Sequence, residues 1–455
     1  MFENVLGQGA VTQLAGDIRT DHLAPSMLFR GPMAAGKGTA ALELARILSC
    51  EQEAAWNCQC SACTRHRLLY HPDLLVLGSR PFSPEIAAAS AVYGKDPSVS
   101  AARFLFIRSV RKLLLRFSPT LWEDDPKIGK LSPLIEAMEA DLDELIARGE
   151  SDGEAPDTVW AEKLGASILK NAFKLEAEGV ADLIPVAHIR RAAWWSRMAP
   201  QGKKKLILIE NADRMQDAAR NALLKILEEP PERVVIVLSS AHSGALLPTI
   251  LSRLRPYRFY GRDEATEQEL IRKVFRAGPG TIAGNGRTGS LITAYLDSFL
   301  PVSAEQIYPL AAFFAASLAY QGALVLRNTG GLPASALPEE LVALGKYTTP
   351  IAEGAGLGRP AKDAGSCLQT ILAGTGKFEA PGLFSQFLTL LLTIAGESLR
   401  TGEPAGAGAA AFSVIWRDLA AEAAAAVGTY NQNAALVLDR MGTEFKRRIL
   451  TLYRY

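Results

Sequence analysis

The chain has 455 residues, too many for one ordinary core, so about two to four domains are expected. Its 49 basic and 48 acidic residues leave a net charge of +1, which excludes whole-molecule steering toward nucleic acid or an acidic membrane. Hydrophobic residues at 48% and charged residues at 21% belong to an ordinary globular protein, not to a disordered chain. The N-terminal stretch MFENVLGQGAV has neither a basic n-region nor an apolar h-region. The apolar run Gly382 to Ala395, interrupted by Ser385 and Gln386, is too short to span a bilayer. The reading is of a soluble cytoplasmic protein with no membrane partner. Five cysteines, four of them between Cys50 and Cys63, do not form a disulfide framework in that compartment.

In chain order, Phe2 to His22 reads as a helical lead-in. Ser26-Met27-Leu28-Phe29 is a short buried strand. The stretch RGPMAAGKGT, Arg30 to Thr39, lies between it and the amphipathic run Ala40 to Leu48. Strand, glycine-rich turn and helix form the context of a phosphate-cradling loop, with backbone N–H groups, a helix N-terminus and Lys37 all directed at an anion. The candidate phosphate-binding residues are Gly31, Gly36, Lys37, Gly38 and Thr39. The usual signature places a hydroxyl directly after the lysine to hold magnesium. Here that position is Gly38, and the hydroxyl comes one residue later, at Thr39. A glycine turn without a ligand is the plainer alternative.

Cys50, Cys58, Cys60 and Cys63 suit a closed, structural zinc site of four thiolates. The Cys58–Cys60 spacing is tight for chelation by both, and scattered reduced thiols are the alternative. His71-Pro72-Asp73 reads as a turn that opens the apolar strand Leu74 to Leu77. From Gly78 to Leu183 the character changes to a mostly helical insertion, its start broken by Pro81, Pro84 and Pro97. Within it, Arg103 to Phe117 has helical period, five basic residues and no acidic one. That helix could meet nucleic acid or an acidic partner, but packing on its own acidic neighbour, Leu134 to Ile146, is the plainer reading. Gly149 to Asp157 is a loop, and Val159 to Gly179 is a third helix.

Ile184 to Trp195 resumes an amphipathic helix. Leu206 to Ile209 is a buried strand that ends at Glu210-Asn211, where a nucleotide-binding fold holds its metal-binding carboxylate. Gln216 to Leu227 is a helix stopped by Glu228-Glu229-Pro230-Pro231. Val234 to Leu238 is another apolar strand, and Leu246 to Leu251 is helical, followed by Ser252-Arg253. Strands at 26–29, 74–77, 206–209 and 234–238, separated by helices, predict an α/β domain with a parallel sheet. Beyond Tyr260 the pattern is helical: Thr266 to Arg276, Ser290 to Phe299, then an Ala- and Leu-rich region from Pro301 to Tyr455 with a linker at Thr401 to Gly408. Cys367 reads as a packed thiol.

Several strings together resemble the bacterial replicative clamp-loader subunits of the AAA+ class, most closely the delta-prime branch of that family. They are Val5-Leu6-Gly7-Gln8, GPMAAGKGT at 31–39, the cysteines of 50–63 followed by HPD at 71–73, KKKLILIENADRM at 203–215, NALLKILEEPPE at 221–232, and Ser252-Arg253. Order and spacing agree over 1–77 and 184–260. The C-terminal half agrees only in helical character and weakly in Tyr430 to Met441, and 78–183 has no counterpart in the pattern.

The resemblance implies an AAA+ P-loop domain of 1–77 and 184–259 with a zinc module at 50–63. It further implies a helical insertion at 78–183, a helical lid at 260–300 and an all-α collar for oligomerisation at 301–455. It implies a hetero-pentamer with gamma/tau and delta subunits, a sliding clamp as cargo, and contact with primer–template DNA mainly through the complex. ATP sites in that family lie between neighbours, so Arg253, with Ser252, would act in trans on a neighbour's ATP. In the place of the family's Asp-Glu-x-His stand Glu210-Asn211-Ala212-Asp213. Glu210 could approach a metal, but the Asn211 amide cannot serve as a base. After Gly289-Ser290-Leu291, where a phosphate-sensing arginine would stand, comes Ile292. The expectation is a subunit that could hold ATP or ADP, does not hydrolyse it, and donates an arginine next door. The alternatives are a hydrolysing gamma/tau-type subunit and, more remotely, a nucleotide kinase, whose phosphate loops also carry Gly after the lysine.

Overall fold

The computed structural model describes residues 1–150, 157–181, 183–278, 290–300, 302, 304–328, 337–357, 380–402, 407–428 and 432–453. Cys367, Gly289 and the centres of the loops expected at 149–157 and 401–408 lie outside the described residues. Two compact units are present, Met1–Leu300 and Pro301–Tyr455.

The first unit is built on a parallel sheet of β1 (Ser26–Arg30), β2 (Leu74–Gly78), β3 (Lys205–Glu210), β4 (Val234–Ser240) and β5 (Arg255–Arg258), in the order β2-β3-β4-β1-β5. Leu28 pairs with Leu238, and Leu75 with Ile207. The middle of each central strand is a continuous apolar run because both faces are covered. Alternate residues divide between two cores. Leu28, Leu75, Leu77, Ile207, Ile209, Ile236 and Leu238 enter one. Met27, Phe29, Leu74, Val76, Leu206, Leu208, Val235 and Val237 enter the other. Full burial of such a side chain contributes about 1.5–3 kcal/mol, so a register slip of one residue would reverse both faces at once.

The second of these cores is closed by α1 (Gly9–Arg19), α2 (Lys37–Ser49) and α3 (Ser61–Arg67) with the cysteines. The first is closed largely by the segment expected as an insertion. It supplies α4 (Ser83–Lys95), α5 (Ser100–Leu114), α6 (Pro119–Trp122), α7 (Ile128–Glu150) and α8 (Thr158–Gly179). Ile86, Phe106, Val110, Met138, Leu142 and Ile168 from these helices share one core with the sheet. That core also takes in α9 (Val186–Ser196), α10 (Asp217–Glu228), α11 (Pro248–Leu251), α12 (Glu264–Phe275) and α13 (Leu291–Asp297).

Two elements depart from the sequence reading. The stretch that Pro81, Pro84 and Pro97 were expected to break contains the helix α4. Pro84 lies in its first turn, where a missing N–H is tolerated, and the Glu176 carboxylate accepts from the N–H groups of Phe82 and Ser83. The fifth strand is Arg-Pro-Tyr-Arg, too polar to register as apolar. As an edge strand it tolerates Pro256.

In the second unit the helices Ala304–Asn328, Glu339–Gly354, Ala380–Thr401, Ala407–Gly428 and Ala434–Leu452 close on Phe314, Leu318, Phe387, Leu391, Trp416 and Phe445. Gln306–Asn328 is long and apolar enough to cross a membrane, and it supplies much of this core.

The turn His71-Pro72-Asp73 fixes β2 against β3. His71 Nδ1 accepts from the Asp73 N–H at 3.2 Å, and the His71 ring stacks on His66 at 4.0 Å. The buried Asp73 carboxylate accepts from Gln201 N at 3.0 Å and Gly202 N at 2.6 Å, just ahead of β3. Asp73→Ala should therefore destabilise the fold by about 1–3 kcal/mol, since two backbone N–H groups lose a charged acceptor that ties them to β2. Urea unfolding followed by circular dichroism measures this.

Candidate phosphate-loop site and cysteine centre

All parts of the phosphate-loop site lie at the carboxyl edge of the sheet, where ligands bind in open α/β folds. The loop leaves β1 at Gly31 and enters α2 at Lys37. Gly36, the residue before the helix, has φ of 91°, a left-handed conformation that favours glycine. The Lys37 ammonium folds over the loop and donates to Gly31 O and Pro32 O, each at 2.6 Å. Arg262 Nη1 donates to Ala34 O at 2.5 Å and its Nε to Leu6 O at 3.1 Å. Gln8 accepts from Tyr260 N at 2.9 Å and donates to Tyr260 O at 2.8 Å. The Val5-Leu6-Gly7-Gln8 motif thus joins the chain start and the exit of β5 to the phosphate loop. Burial, reinforced by the nearby Arg80 charge, lowers the Lys37 pKa to about 8, with Glu210 and Asp213 opposing.

Glu210 ends β3, beside the loop. Its carboxylate forms ion pairs with Arg80 Nη1 at 3.3 Å and with Arg116 Nη2. Burial raises its pKa, but Arg116 and Arg80 outweigh burial and hold the carboxyl below the usual range. A Cβ at Gly38 would lie 2.7 Å from Glu210 Oε1, so this glycine admits the paired carboxylate to the loop. Asn211 follows in the left-handed region at φ of 52°, which asparagine tolerates better than most residues. Asp213 accepts from Ser240 Oγ at 2.5 Å, at the end of β4.

Sequence reasoning did not single out Arg80 or identify Arg116 with this site. Arg116 belongs to the basic run noted at 103–117, and the structure gives four of that run's five charges internal partners. Arg108 donates to the carbonyls of His66 and Arg67, and Arg111 to that of Leu68 at 2.7 Å. These carbonyls lie at the C-terminal end of α3, where cations satisfy otherwise unpaired C=O groups. Lys112 pairs with Glu85, which also pairs with Arg80 at 3.1 Å. The basic helix packs on its acidic neighbour α7, as expected, with Phe106 and Val110 against the core that holds Met138 and Leu142. It caps one helix and neutralises the carboxylates at the sheet edge.

Cys50, Cys58, Cys60 and Cys63 converge, with all four sulfurs within 4.8 Å of one another. Cys50 Sγ is 3.7 Å from Cys58 Sγ and 3.9 Å from Cys60 Sγ. A tetrahedral zinc with bonds of about 2.3 Å sets its sulfurs about 3.8 Å apart, so the donor set fits the metal in number, chemistry and spacing. The tight Cys58–Cys60 spacing keeps neither thiol out of the cluster. Arg46, buried against Glu43 at 2.6 Å, donates to Cys63 Sγ at 3.1 Å and to the carbonyls of Ala54 and Ala55. It fixes the loop around the sulfurs and offsets thiolate charge. Burial opposes ionisation of Cys60, but the backbone N–H groups of Glu51 and Cys63 bring its pKa down to about 7.

Arg253 is elsewhere, two residues past the end of α11. It donates to Thr249 O at 2.6 Å and pairs with Glu228, at the end of α10, at 2.8 Å. Ser252 Oγ donates to Thr249 O at 3.1 Å. Ile292 packs against the core of the first unit, while Ser290 Oγ and Leu291 N bond to Glu267. The structure therefore brings Gly31, Gly36, Lys37, Gly38, Thr39 and Glu210 to one edge of the sheet, and places the cysteines and Arg253 in separate clusters. With its pKa near 8, Lys37 should be acylated ahead of ordinary surface lysines. Competitive labelling with acetic anhydride, read by mass spectrometry across pH 6–11, should give a midpoint near pH 8 at Lys37.

The family described as DNA polymerase III, delta subunit, matches residues 7–124 and 150–262. The match runs through most of 78–183, the stretch without a counterpart in the sequence reading, and omits only 125–149 of it. Among similar proteins, the DNA polymerase III subunit delta' of Pseudomonas aeruginosa is 40% identical over 91 residues, 20% of this chain and 28% of that protein. That of Haemophilus influenzae is 44% identical over 74 residues, 16% and 23% of the two chains. The subunit gamma/tau of Mycobacterium tuberculosis is 32% identical over 74 residues, 16% and 13%. The chain thus spans less than a third of the length of these relatives. A solved gamma subunit-related protein of Thermotoga maritima is similar at 20% identity and a TM-score of 0.29, covering 59% of this chain and 81% of that one. With more than half of its residues matched, the chain belongs to the DNA polymerase III delta-subunit family.

Proposed function

We propose that the chain is a clamp-loader subunit of delta-prime type, which does not hydrolyse ATP itself and supplies Arg253 to the ATP of a neighbouring subunit. Its partners would be gamma/tau and delta subunits, with a sliding clamp as cargo and primer–template DNA reached through the complex. One observation carries the reading: the carboxylate at the end of β3 is paired with two arginines, while Arg253 lies at the surface on the Thr249 carbonyl and one exposed acid, Glu228. Gly38, Asn211 and Ile292 support it, because each lacks a group that metal binding, water activation or phosphate sensing would use. An arginine delivered in trans neutralises charge that develops on the transferred phosphate, worth about 10³-fold or more at the site it serves. The hydrolysing gamma/tau alternative would need Glu210 free of its arginines.

The thiolates of Cys50, Cys58, Cys60 and Cys63 would hold a structural zinc, which supplies a rigid tetrahedral crosslink with no open position. Arg46 and Arg67, bonded to backbone carbonyls around the cluster, would hold the thiolates in place.

Reconstitution with gamma/tau and delta subunits tests the main reading. The isolated chain should show no ATP turnover, and Arg253→Ala should lower the DNA-dependent ATPase of the complex without changing assembly on gel filtration. Turnover by the isolated chain that disappears in Lys37→Ala would instead assign it the hydrolysing role. Metal analysis of the purified protein should find about one zinc per chain, and Cys63→Ser should lose the metal and lower the Tm.

A further inference from the structure

We propose that Arg80 and Arg116 take the electrostatic place of a divalent cation at Glu210, so that this phosphate loop is closed to magnesium by an internal cation pair. The inference deepens the non-hydrolysing reading and rests on it for the identity of the site.

Both carboxylate oxygens of Glu210 are committed, Oε1 to Arg80 and Oε2 to Arg116. The two guanidinium groups lie over the same ring, that of Phe82, at 4.9 and 5.3 Å from its centroid. The second arm of Arg80 goes to Glu85, which also binds Lys112. Asp213, the other carboxylate acting on Lys37, is turned to Ser240 Oγ. Glu176 is occupied by Phe82 N and by the Ser83 amide and hydroxyl. Glu176 also acts on both arginines, so Arg80, Arg116 and Lys112 are matched by Glu85, Glu210 and Glu176, and every carboxylate beside the loop already has a partner. A divalent cation would enter a site whose carboxylates are already neutralised, and would have to displace a guanidinium to reach a Glu210 oxygen.

Gly38 belongs to the same arrangement. A Cβ there would meet Glu210 Oε1 at 2.7 Å and Arg80 Nη1 at 3.5 Å. Glu210 is held by both arginines and cannot swing away without breaking a pair. Restoring a hydroxyl after Lys37 therefore does not by itself restore a metal site. The missing hydroxyl and the added arginines are two halves of one substitution, in which metal chemistry is replaced by ion pairing.

The test uses the full chain and Mn²⁺ as the probe, followed by electron paramagnetic resonance with and without ATP. Wild type and Gly38→Ser should bind no more Mn²⁺ than Glu210→Gln. Arg80→Ala/Arg116→Met should gain a Mn²⁺ site that is lost again on adding Glu210→Gln. A Mn²⁺ site in the wild type that Glu210→Gln removes would overturn the proposal, as would a folded double variant that gains none. If the double variant does not fold, thermal melting of single variants decides. Arg116→Met should lower the Tm by leaving the buried Glu210 carboxylate with Arg80 alone, and Arg116→Met/Glu210→Gln should recover most of the loss. Additive losses would overturn the pairing. Turnover by the isolated chain with Glu210 still metal-free would sink the non-hydrolysing reading and leave this proposal standing.

Discussion

A carboxylate buried at the end of a parallel strand must be neutralised, and much of the first unit is arranged around how Glu210 meets that requirement. In water a carboxylate is solvated; at the carboxyl edge of this sheet it is not. Desolvation of an ion costs several kcal/mol, which only close counter-charges and good hydrogen bonds offset. Here the counter-charges are guanidinium groups supplied by the chain between β2 and α6. That choice determines what may stand next to the carboxylate. It requires Gly38 in the phosphate loop and gives the basic run of α5 a structural destination. It also makes the helices of 78–183 a necessary cover for one sheet face, because one of their strand-proximal turns carries Arg116.

The same basic run joins two regions far apart in sequence. Arg108 and Arg111 bind the terminal carbonyls of α3, the helix that bears Cys63. Lys112 and Arg116 bind Glu85 and Glu210 at the sheet edge. The helix α5 and the turn that follows it therefore tie the cysteine centre to the phosphate-loop edge by charge. The cluster has its own buried cation in Arg46, so four thiols and one arginine are kept together inside a hydrophobic core. A basic helix without acidic neighbours in sequence need not face nucleic acid, since its charges can end on backbone carbonyls and on carboxylates reached through the fold.

Much of the fold was legible in the sequence because its strands are continuous apolar runs bounded by turns. The four runs at 26–29, 74–77, 206–209 and 234–238 all lie in the sheet. The fifth strand was not legible, because an edge strand buries only Tyr257 fully and its Arg-Pro-Tyr-Arg pattern lacks a run. The helix α4 was hidden by its proline, which reads as a breaker unless its place in the first turn is known. At the site, the phosphate loop, Gly38, Asn211 and the four cysteines were readable from local spacing. The partners of Glu210 were not, because Arg116 and Arg80 are 94 and 130 residues away in sequence and nothing local marks them. Local motifs disclose which groups a site lacks; what fills the gap is set by tertiary contact.

Two arginine–glutamate pairs in this unit show how burial separates fixed from available charge. Arg116 and Glu210 have side chains 4% and 7% exposed, and parting them would leave a charge in a dry interior. Such a pair persists through any encounter with a partner. Arg253 and Glu228 are 34% and 50% exposed, and exposed pairs of this kind contribute only about 0–1 kcal/mol. An approaching phosphate carries more negative charge than one carboxylate and accepts a guanidinium in bidentate fashion. Exchange of Glu228 for phosphate is therefore cheap, because both the old partner and the released carboxylate remain in water. On the proposed role, the chain holds its own site shut with the buried Arg116 beside Arg80 and keeps its outward-facing arginine on a partner weak enough to leave.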